Sequence, residues 1–330
     1  MPDHAAPIKL GANIWNQYTS WDAFRAAHVR AEALGYDSLW TWDHVYPIVG
    51  SPEGPILEAW TAMAAIAAIT KRATIGHLVG ANTFRNPALT AKMITTIDHI
   101  SGGRAILGIG AAWFEVEHSG FGLEFGSGFP ERLRWLGEAL PIMRAMLDGT
   151  PYTAEGGRYR TDAVRNDPPP VQAHLPILIG GGGKKVTLKL VAKYADMNNL
   201  GNPIEPVAEA EAALLEHCRN LGRDETTVER TTEIQRIVIR DSSAEAWRVH
   251  DAQLAANGGA ATDEVRPGSA TLAKARACVG TPDEVVAHLA PLVEAGYHHL
   301  IACFPAPVDD ETMVRFATEI RPRLEALVRR

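Results

Sequence analysis

Short runs of apolar residues alternate with segments of helical periodicity along the whole chain. The first run, residues 8–15, precedes a helical pattern in which Trp21 and Phe24 share one face, with Ser20 placed to cap its start and Gly35 its end. Further apolar runs predict strands at 37–42, 72–79, 104–110, 176–181, 195–200, 232–239 and 299–304. Helical patterns predict helices at 58–69, 87–100, 131–148, 185–194, 203–220, 243–257, 282–295 and 309–328.

Eight strand–helix units with mostly continuous apolar strands are typical of a parallel sheet that helices cover on both faces. Eight units favour closure into a (β/α)8 TIM barrel, with residues 1–330 as a single domain. The alternative, an open doubly wound sheet, would require a glycine fingerprint after the first strand, where the chain reads NIWNQYTSW instead. Stretches of low periodicity at about 111–130 and 258–280 are expected to be rim-loop insertions. The Pro- and Gly-rich stretch 150–176 is expected to be an excursion over the surface.

The composition is that of an ordinary soluble globular protein, with 46% hydrophobic and 22% charged residues. The net charge of −7 argues against a general affinity for nucleic acid or for an anionic membrane surface. The N-terminus lacks a signal-peptide pattern and no apolar window approaches membrane-spanning length, so we expect a cytoplasmic protein. Cys218, Cys278 and Cys303 are scattered without a C-x-x-C pair, which favours inert thiols over a metal site or a nucleophile.

The stretch SLWTWDHVYP, residues 38–47, carries the first candidate for chemistry. In a barrel, functional groups lie at the carboxyl ends of the strands. The second strand runs from its tryptophans directly into Asp43 and His44, where a structural strand would normally end in turn residues. Histidine titrates near neutral pH and can deliver or remove a proton, so His44 is the predicted catalytic residue, with Asp43 as its acidic neighbour.

Four consecutive glycines, Gly180–Gly183, follow the fifth strand and lead into a predicted helix near Lys184 and Lys185. Glycines let the backbone approach a ligand closely, and the free N–H groups of a helix start favour an anion. The run therefore predicts a phosphate-binding loop, although its spacing is not that of a Walker P-loop. The alternative interpretation is a flexible tight turn.

The fourth strand ends in GIGAAW, residues 108–113. Trp113 stands where a dinucleotide fingerprint would have its third glycine, so the pattern is a weak indication of such a site. The small residues instead favour the close approach of a flat ring to this strand, with Trp113 as a wall. The chain lacks a Gly-x-Ser-x-Gly nucleophile elbow and an H-E-x-x-H pair, which argues against serine and metal-dependent hydrolases.

Four segments, in order along nearly the whole chain, resemble the bacterial-luciferase-like superfamily. They are WTWDHVYP, TIGHLVGANTFRNPALTAKM, DHISGGRAILGIGAAWFEVEH and PILIGGGGKKVTLKLVAKYADMNN. Within that superfamily they are most similar to the coenzyme F420-dependent oxidoreductases, in which F420 is a deazaflavin. The resemblance implies a TIM barrel with coenzyme F420 in the pocket at the rim.

The resemblance also implies roles for individual residues. Asp43 and His44 match the Asp–His pair of the family's glucose-6-phosphate dehydrogenase branch, in which the histidine lies beside the reactive ring carbon and handles protons. Leu78 and Val79 match two residues that a cis non-proline peptide joins, forming a bulge that supports the ring. The other residues of the implied cofactor site are Gly80, Asn82, Gly110, Trp113 and Asn199 at strand ends, and Gly180, Gly181, Gly182, Gly183 and Lys184 around the phosphate.

One departure from the dehydrogenase branch bears on the substrate. That branch has a glutamate as proton partner after the fourth strand, and Trp113 occupies its position here. Glu115 and Glu117 follow, but they stand at other positions of the motif. Sugar-phosphate oxidation is therefore not implied for this chain.

The expected function is hydride transfer between coenzyme F420 and an unidentified small organic substrate, with His44 as proton donor or acceptor. Trp15, Trp42 and Trp113 are the expected apolar walls of the substrate pocket. One alternative is an FMN-dependent luciferase-like monooxygenase that uses reduced flavin and O2. A non-catalytic binding barrel would leave the acid–histidine pair and the glycine run unexplained. The Ala-rich run 59–69 could pack in a homodimer or on the chain's own barrel.

Overall fold

The computed structural model describes residues 7–201, 207–259 and 277–329. The strands are β1 (Lys9–Ile14), β2 (Ser38–Thr41), β3 (Thr74–His77), β4 (Gly80–Ala81), β5 (Ala105–Gly110), β6 (Tyr152–Ala154), β7 (Thr161–Val164), β8 (Ile177–Gly180), β9 (Met197–Gly201), β10 (Glu229–Ile234), β11 (Ile237–Ile239), β12 (Cys278–Gly280) and β13 (His299–Phe304). The helices are α1 (Trp21–Ala33), α2 (Ala59–Ile69), α3 (Pro87–Ser101), α4 (Glu115–Phe121), α5 (Phe129–Leu147), α6 (Thr187–Tyr194), α7 (Ala208–Leu221), α8 (Ser243–Ala256), α9 (Pro282–Glu294), α10 (Asp310–Arg315) and α11 (Arg321–Val328). A π-helical segment, Phe316–Ile320, joins α10 to α11.

Parallel strands form one sheet in the order β3-β2-β1-β13-β10-β9-β8-β5-β4, and a further pairing of β3 with β5 closes it. The closing register joins Ile75 to Ala105 and Gly76 to Ile106. The short strand β4 continues the path of β3 and pairs with the end of β5. Because β3 and β4 share one position, the closed sheet has eight positions, and the predicted (β/α)8 TIM barrel is confirmed.

Buried apolar side chains form two main layers, one on each side of the barrel wall. The larger layer lies between the strands and the helices, where Leu10, Phe24 and Met63 are completely buried. The smaller layer gathers side chains from six points around the wall: Trp40, Leu78, Ile106, Leu178, Met197 and Ile301. Side chains from opposite strands can meet only inside the barrel, so this second layer is a filled interior.

Several helices begin where local signals place them. The Ser20 hydroxyl accepts a hydrogen bond from the N–H of Ala23, which caps α1 as predicted. Asn86 caps α3, and Pro87 occupies its first turn. The side chain and backbone of Thr281 form a capping box at the start of α9. These boundaries are decided by residues close in sequence.

The structure divides the predicted strand 232–239 in two. Strand β10 begins earlier than predicted, at Glu229, and β11 leaves the barrel to pair with β12. The break falls at Gln235 and Arg236, where the carbonyl oxygen of Arg236 accepts a hydrogen bond from the N–H of Cys278 at 2.8 Å. Apolar residues stand on both sides of this break because both strands are buried, so the sequence predicts one strand. Arg236 consequently stands at the carboxyl end of a barrel strand.

The other differences lie mainly in the insertions. The stretch 111–130 contains helix α4, and the stretch 150–176 contains the antiparallel hairpin β6–β7. Helix α6 begins at Thr187, two residues later than predicted. Residues 260–276 of the predicted rim insertion, and 203–206 of a predicted helix, lie outside the described residues.

The apolar helix α2 serves the barrel's own core. Its buried side chains, including Trp60, Met63 and Ile66, pack within the large layer. This packing accounts for the Ala-rich run, and a homodimer stays a prediction. In the described parts of the chain, every helix is too short or too polar to cross a membrane.

At the amino-terminal end of the barrel, polar contacts join four strands. Lys9 Nζ and His299 Nδ1 lie 2.9 and 2.8 Å from the two oxygens of the Glu229 carboxylate. Ser38 Oγ lies 2.7 Å from His299 Nε2 and accepts a hydrogen bond from the Trp40 indole N–H at 2.7 Å. Burial alone would raise the pKa of Glu229, but the hydrogen bond from His299 and the charges of His299 and Lys9 outweigh it and lower the pKa to about 2.

We predict that Glu229→Gln lowers the free energy of unfolding by about 1–2 kcal/mol at pH 7, because the charge that pairs with Lys9 and His299 is removed. The pKa of Glu229 lies near 2 in the folded protein and near 4.5 in the unfolded chain. Its contribution is therefore complete above about pH 4.5 and is lost as the pH falls toward 2. Urea unfolding at about pH 7 and pH 3 measures this, with exposed Glu155→Gln as the control. A difference from wild type that stays constant with pH would contradict the prediction.

Candidate active site

His44 follows β2 at the carboxyl end of the barrel and is 9% exposed. Its Nδ1 lies 2.8 Å from Oε1 of Glu117, a residue of the rim helix α4 that is only 1% exposed. Glu117 also accepts a hydrogen bond from the N–H of Val45 at 2.9 Å, which holds its carboxylate in place. A carboxylate beside Nδ1 makes this nitrogen the protonated one in the neutral ring. Nε2, which has no partner among the described residues, can then accept a proton.

Aromatic rings surround the His44 imidazole. Trp42, Trp113 and Phe114 meet it edge-on, with ring centroids at 6.3, 5.6 and 6.1 Å. Trp15 packs against Trp42 at 4.7 Å. Trp113 is 45% exposed and so lies toward solvent, whereas the other two tryptophans are buried. The three tryptophans predicted as pocket walls therefore belong to one aromatic group around the histidine.

Asp43 is the sequence neighbour of His44, but its carboxylate binds other residues. It accepts hydrogen bonds from Trp60 Nε1 and the N–H of Ala81, both at 3.0 Å, and from both terminal nitrogens of Arg85 at 2.7 and 3.2 Å. Burial alone would raise the pKa of Asp43, but the charge of Arg85 and these hydrogen bonds hold it below its usual value. Asp43 is therefore ionised and ties the end of β2 to α2 and β4. The acidic partner of the histidine is the glutamate of α4.

A bulge between β3 and β4 carries Val79 across the rim. The Leu78–Val79 peptide is cis, which confirms the implication of the resemblance. A Cβ added to Gly110 or Gly180 would lie 2.8 or 3.0 Å from a methyl carbon of Val79, and one added to Gly108 would lie 1.8 Å from a carbonyl oxygen of β3. Gly110, predicted to admit a ring, and Gly180, predicted to bind phosphate, thus make room for the bulge, and Gly108 makes room for β3.

The glycine loop, residues Gly180–Gly183, connects β8 to α6 and is exposed from Gly181 onward. Gly181 has a φ of +111°, a conformation that favours glycine, and its N–H donates to the carbonyl oxygen of Asn199 at 2.8 Å. Asn198 Nδ2 donates to the carbonyl oxygen of Gly181 at 3.1 Å and holds the loop from below. No described side chain caps the start of α6. The N–H of Leu188 donates to the carbonyl oxygen of Gly183 at 3.1 Å, and those of Thr187 and Lys189 have no partner among the described residues, so the arrangement fits a phosphate group.

Lys184 and Lys185 lie on the exposed turn before α6. Lys184 Nζ is 2.5 Å from Oε2 of Glu209, and the carbonyl oxygen of Lys184 lies 2.7 Å from His217 Nε2. Helix α7 thus binds both ends of Lys184. The glycine loop therefore offers main-chain N–H groups beside a lysine that is already paired.

Asn82 follows β4, whereas Asn199, predicted at a strand end, lies in the middle of β9; both are buried. The side chain of Asn82 donates to the hydroxyl of Tyr159 at 3.1 Å. The side chain of Asn199 donates to the hydroxyl of Thr231 at 2.9 Å. Both amides therefore brace neighbouring parts of the rim.

Sequence reasoning missed three residues of this site: Glu117, Arg85 and Tyr159. Their contacts span 73, 42 and 77 residues of chain. Glu117 stands in WFEVEH, where an acidic residue was visible, but the helical turn that directs it to His44 was not predicted. Arg85, in the segment FRNP, and Tyr159, in the stretch 150–176, have no sequence pattern around them that predicts these contacts.

In the ranges that the structure describes, histidine, cysteine and carboxylate side chains do not form a group of three that could hold a metal ion. Cys218, Cys278 and Cys303 are all buried and unbridged.

Comparison with known proteins places the chain in a family. The model of the family described as luciferase-like monooxygenase matches residues 5–299. An F420-dependent glucose-6-phosphate dehydrogenase of Amycolatopsis mediterranei is 31% identical over 324 residues, which cover 91% of this chain and 93% of that protein.

Solved structures agree on the fold. An F420-dependent secondary alcohol dehydrogenase in complex with an F420–acetone adduct matches with a TM-score of 0.80 and 21% identity, over 97% of this chain and 99% of that one. A monooxygenase from Streptomyces bottropensis matches with a TM-score of 0.78 and 20% identity, over 96% and 99% of the two chains. At these identities the structures establish the barrel alone. The family match and the full-length relative together show that this chain belongs to the luciferase-like monooxygenase family.

Proposed function

We propose that the chain is a coenzyme F420-dependent oxidoreductase that acts on a small organic substrate. The observation that carries this proposal is the 2.8 Å contact between His44 and buried Glu117 at the barrel rim. The names of the full-length relatives, F420-dependent glucose-6-phosphate dehydrogenases at 30–31% identity, support the cofactor. When bound, the deazaflavin supplies a two-electron hydride acceptor or donor.

The glycine loop and the bulge would hold the cofactor. The uncapped start of α6 would bind its phosphate through main-chain N–H groups, and Val79 would support the ring. A Cβ at Gly182 or Gly183 would lie 2.7 or 2.8 Å from the side chains of Leu200 or Thr187. A side chain at either position would have to displace its neighbour, so glycine keeps the loop open without rearrangement.

His44 would move the proton. With Nδ1–H held by Glu117, Nε2 can take the proton of a substrate hydroxyl as hydride leaves the adjacent carbon. The Glu117 carboxylate then stabilises the imidazolium, and in the reverse direction the same nitrogen returns the proton. The aromatic rings around the imidazole limit the access of water. Asp43 would have a positioning role, because it fixes the end of β2 from which His44 projects.

The proposal does not extend to glucose 6-phosphate. The relatives that carry this substrate in their names are about 70% different in sequence from this chain. At the position of the branch's glutamate proton partner, this chain has the half-exposed Trp113. An indole ring there can neither accept nor donate a proton in catalysis.

The first prediction concerns the glycine loop. We expect the wild-type protein to bind coenzyme F420 and not FMN, as measured by fluorescence titration. Gly181→Ala should weaken F420 binding by about tenfold or more, because alanine disfavours the φ of +111° that shapes the loop. Gly149→Ala is the matched control, since Gly149 has a φ of +72° in a turn where an added Cβ contacts nothing. Tight binding of FMN alone would move the chain to the flavin monooxygenases, and binding of neither would remove the cofactor assignment.

The second prediction concerns proton transfer. We expect His44→Ala to lower kcat by roughly 100-fold to 10,000-fold, measured as bleaching of F420 absorbance with an alcohol found by screening. The affinity for F420 should change by less than about threefold, because the phosphate-binding loop is intact. Glu117→Gln should lower kcat by less than His44→Ala does and leave KM unchanged. The lost carboxylate charge destabilises the protonated imidazole more than it weakens substrate binding.

The control for this series is His174→Ala, which removes an exposed histidine paired with Asp196. It should leave turnover unchanged. Turnover of His44→Ala comparable with wild type would eliminate His44 as the acid and base.

A further inference from the structure

Four arginine side chains are buried, with exposures of 4–8%. Three of them are held by many hydrogen-bond partners. Arg132 binds two main-chain carbonyls and stacks on Phe125, Arg230 binds Glu211 and two carbonyls, and Arg240 binds Asp309, Thr312 and a carbonyl. A buried guanidinium is normally kept in this way because an unpaired buried charge is costly.

Arg236 is the exception among the four. It is 8% exposed, yet its side chain makes no hydrogen bond or ion pair with any residue that the structure describes. Burial lowers the pKa of Arg236, and the neighbouring Cys303 acts in the opposite direction. Its nitrogens are not among the polar atoms that are sealed from solvent. The guanidinium is thus enclosed by protein, unpaired among the residues that the structure describes, and still reachable.

Arg236 lies at the carboxyl-end rim, where β10 is two positions from β8, which carries the glycine loop, and three positions from β2, which precedes His44. Strand β10, which Arg236 follows, is flanked by β13, the strand that carries Cys303. Cys303 packs in one cluster with Trp15 and Trp42, and Trp42 contacts His44. Packed side chains therefore connect His44 to Arg236 along the β2–β1–β13–β10 side, through Trp42 and Cys303. The glycine loop belongs to β8, beyond β9.

We infer that Arg236 binds a carboxylate group of the substrate, so that the substrate is a small organic acid oxidised or reduced at a carbon near His44. The inference rests on the proposed function, because it assumes that the substrate binds on the side of the barrel where His44 lies. The planar guanidinium matches one carboxylate through two parallel hydrogen bonds. A phosphate dianion would call for a second cation, and the described residues include no other buried cation without a partner.

The first test measures the stability of the protein without ligand. Arg236→Met keeps the length of the side chain and removes the charge, so the melting temperature should be unchanged or higher. Arg240→Met is the matched control, because Arg240 is equally buried but paired with Asp309, and its melting temperature should fall. A clear loss of stability in Arg236→Met would show that Arg236 has a structural role and would overturn the inference.

The second test measures binding by calorimetry, with benzoate and benzamide as a charged and a neutral probe of one shape. Wild type should bind benzoate at least about tenfold more tightly than benzamide and more tightly than inorganic phosphate. Arg236→Met should lose this preference, and Arg236→Lys should keep part of it. Arg248→Met, which removes a largely exposed arginine, should behave as wild type.

The outcomes separate this inference from the proposed function. Equal binding of benzoate and benzamide, or tighter binding of phosphate, would overturn the carboxylate site. An F420 affinity that falls about tenfold in Arg236→Met would assign Arg236 to the cofactor and also overturn it. A preference for benzoate that depends on Arg236, in a protein that does not bind F420, would leave the carboxylate site standing and remove the proposed function.

Discussion

The carboxylate of Asp43 is the contact on which the geometry of the rim depends. It accepts four hydrogen bonds, from Trp60 of α2, the main chain of β4, and both terminal nitrogens of Arg85. Arg85 in turn binds Glu58, which caps the start of α2. An ionised carboxylate inside a protein is tolerated only when it is fully hydrogen-bonded. The end of β2, the bulge before β4 and the start of α2 therefore hold one another in place.

This rigidity explains why two adjacent residues differ in role. Successive side chains along an extended chain point to opposite sides, so Asp43 turns into the wall while His44 turns toward the rim pocket. The wall side supplies three donors to Oδ2 of Asp43 and one to Oδ1, so both oxygens of the carboxylate are hydrogen-bonded. Among the described residues, the pocket side supplies one acceptor, Glu117, which engages only one nitrogen of the imidazole. A fixed base with one free nitrogen is the arrangement that proton transfer requires.

The fold could be predicted from the sequence because its signals are local and repeated. Apolar runs, helix caps and the glycine loop all depend on residues within a few positions of one another, and their order along the chain is sufficient for a barrel. The division of strand 232–239 could not be predicted in this way. Residues on both sides of the break are equally buried, and the break depends on pairing with Cys278, about forty residues away. The partner of His44 was missed for the same reason, since the sequence shows acidic residues but not which of them a rim helix will direct inward.

The two sides of the rim also differ in what they contribute to the stability of the fold. The side with the bulge is built from backbone, glycines and Val79, and its groups are satisfied by the protein itself. On the side of β10 and β13, Asn13, Glu233 and Cys303 bind one another, while Arg236 next to them binds no described residue. Groups of the first kind stabilise the fold whether or not a ligand is bound. A buried guanidinium that binds no described residue does the reverse, because its desolvation is left uncompensated until an anion binds. Selection for stability alone would replace such a residue, which supports the inference that Arg236 serves ligand binding.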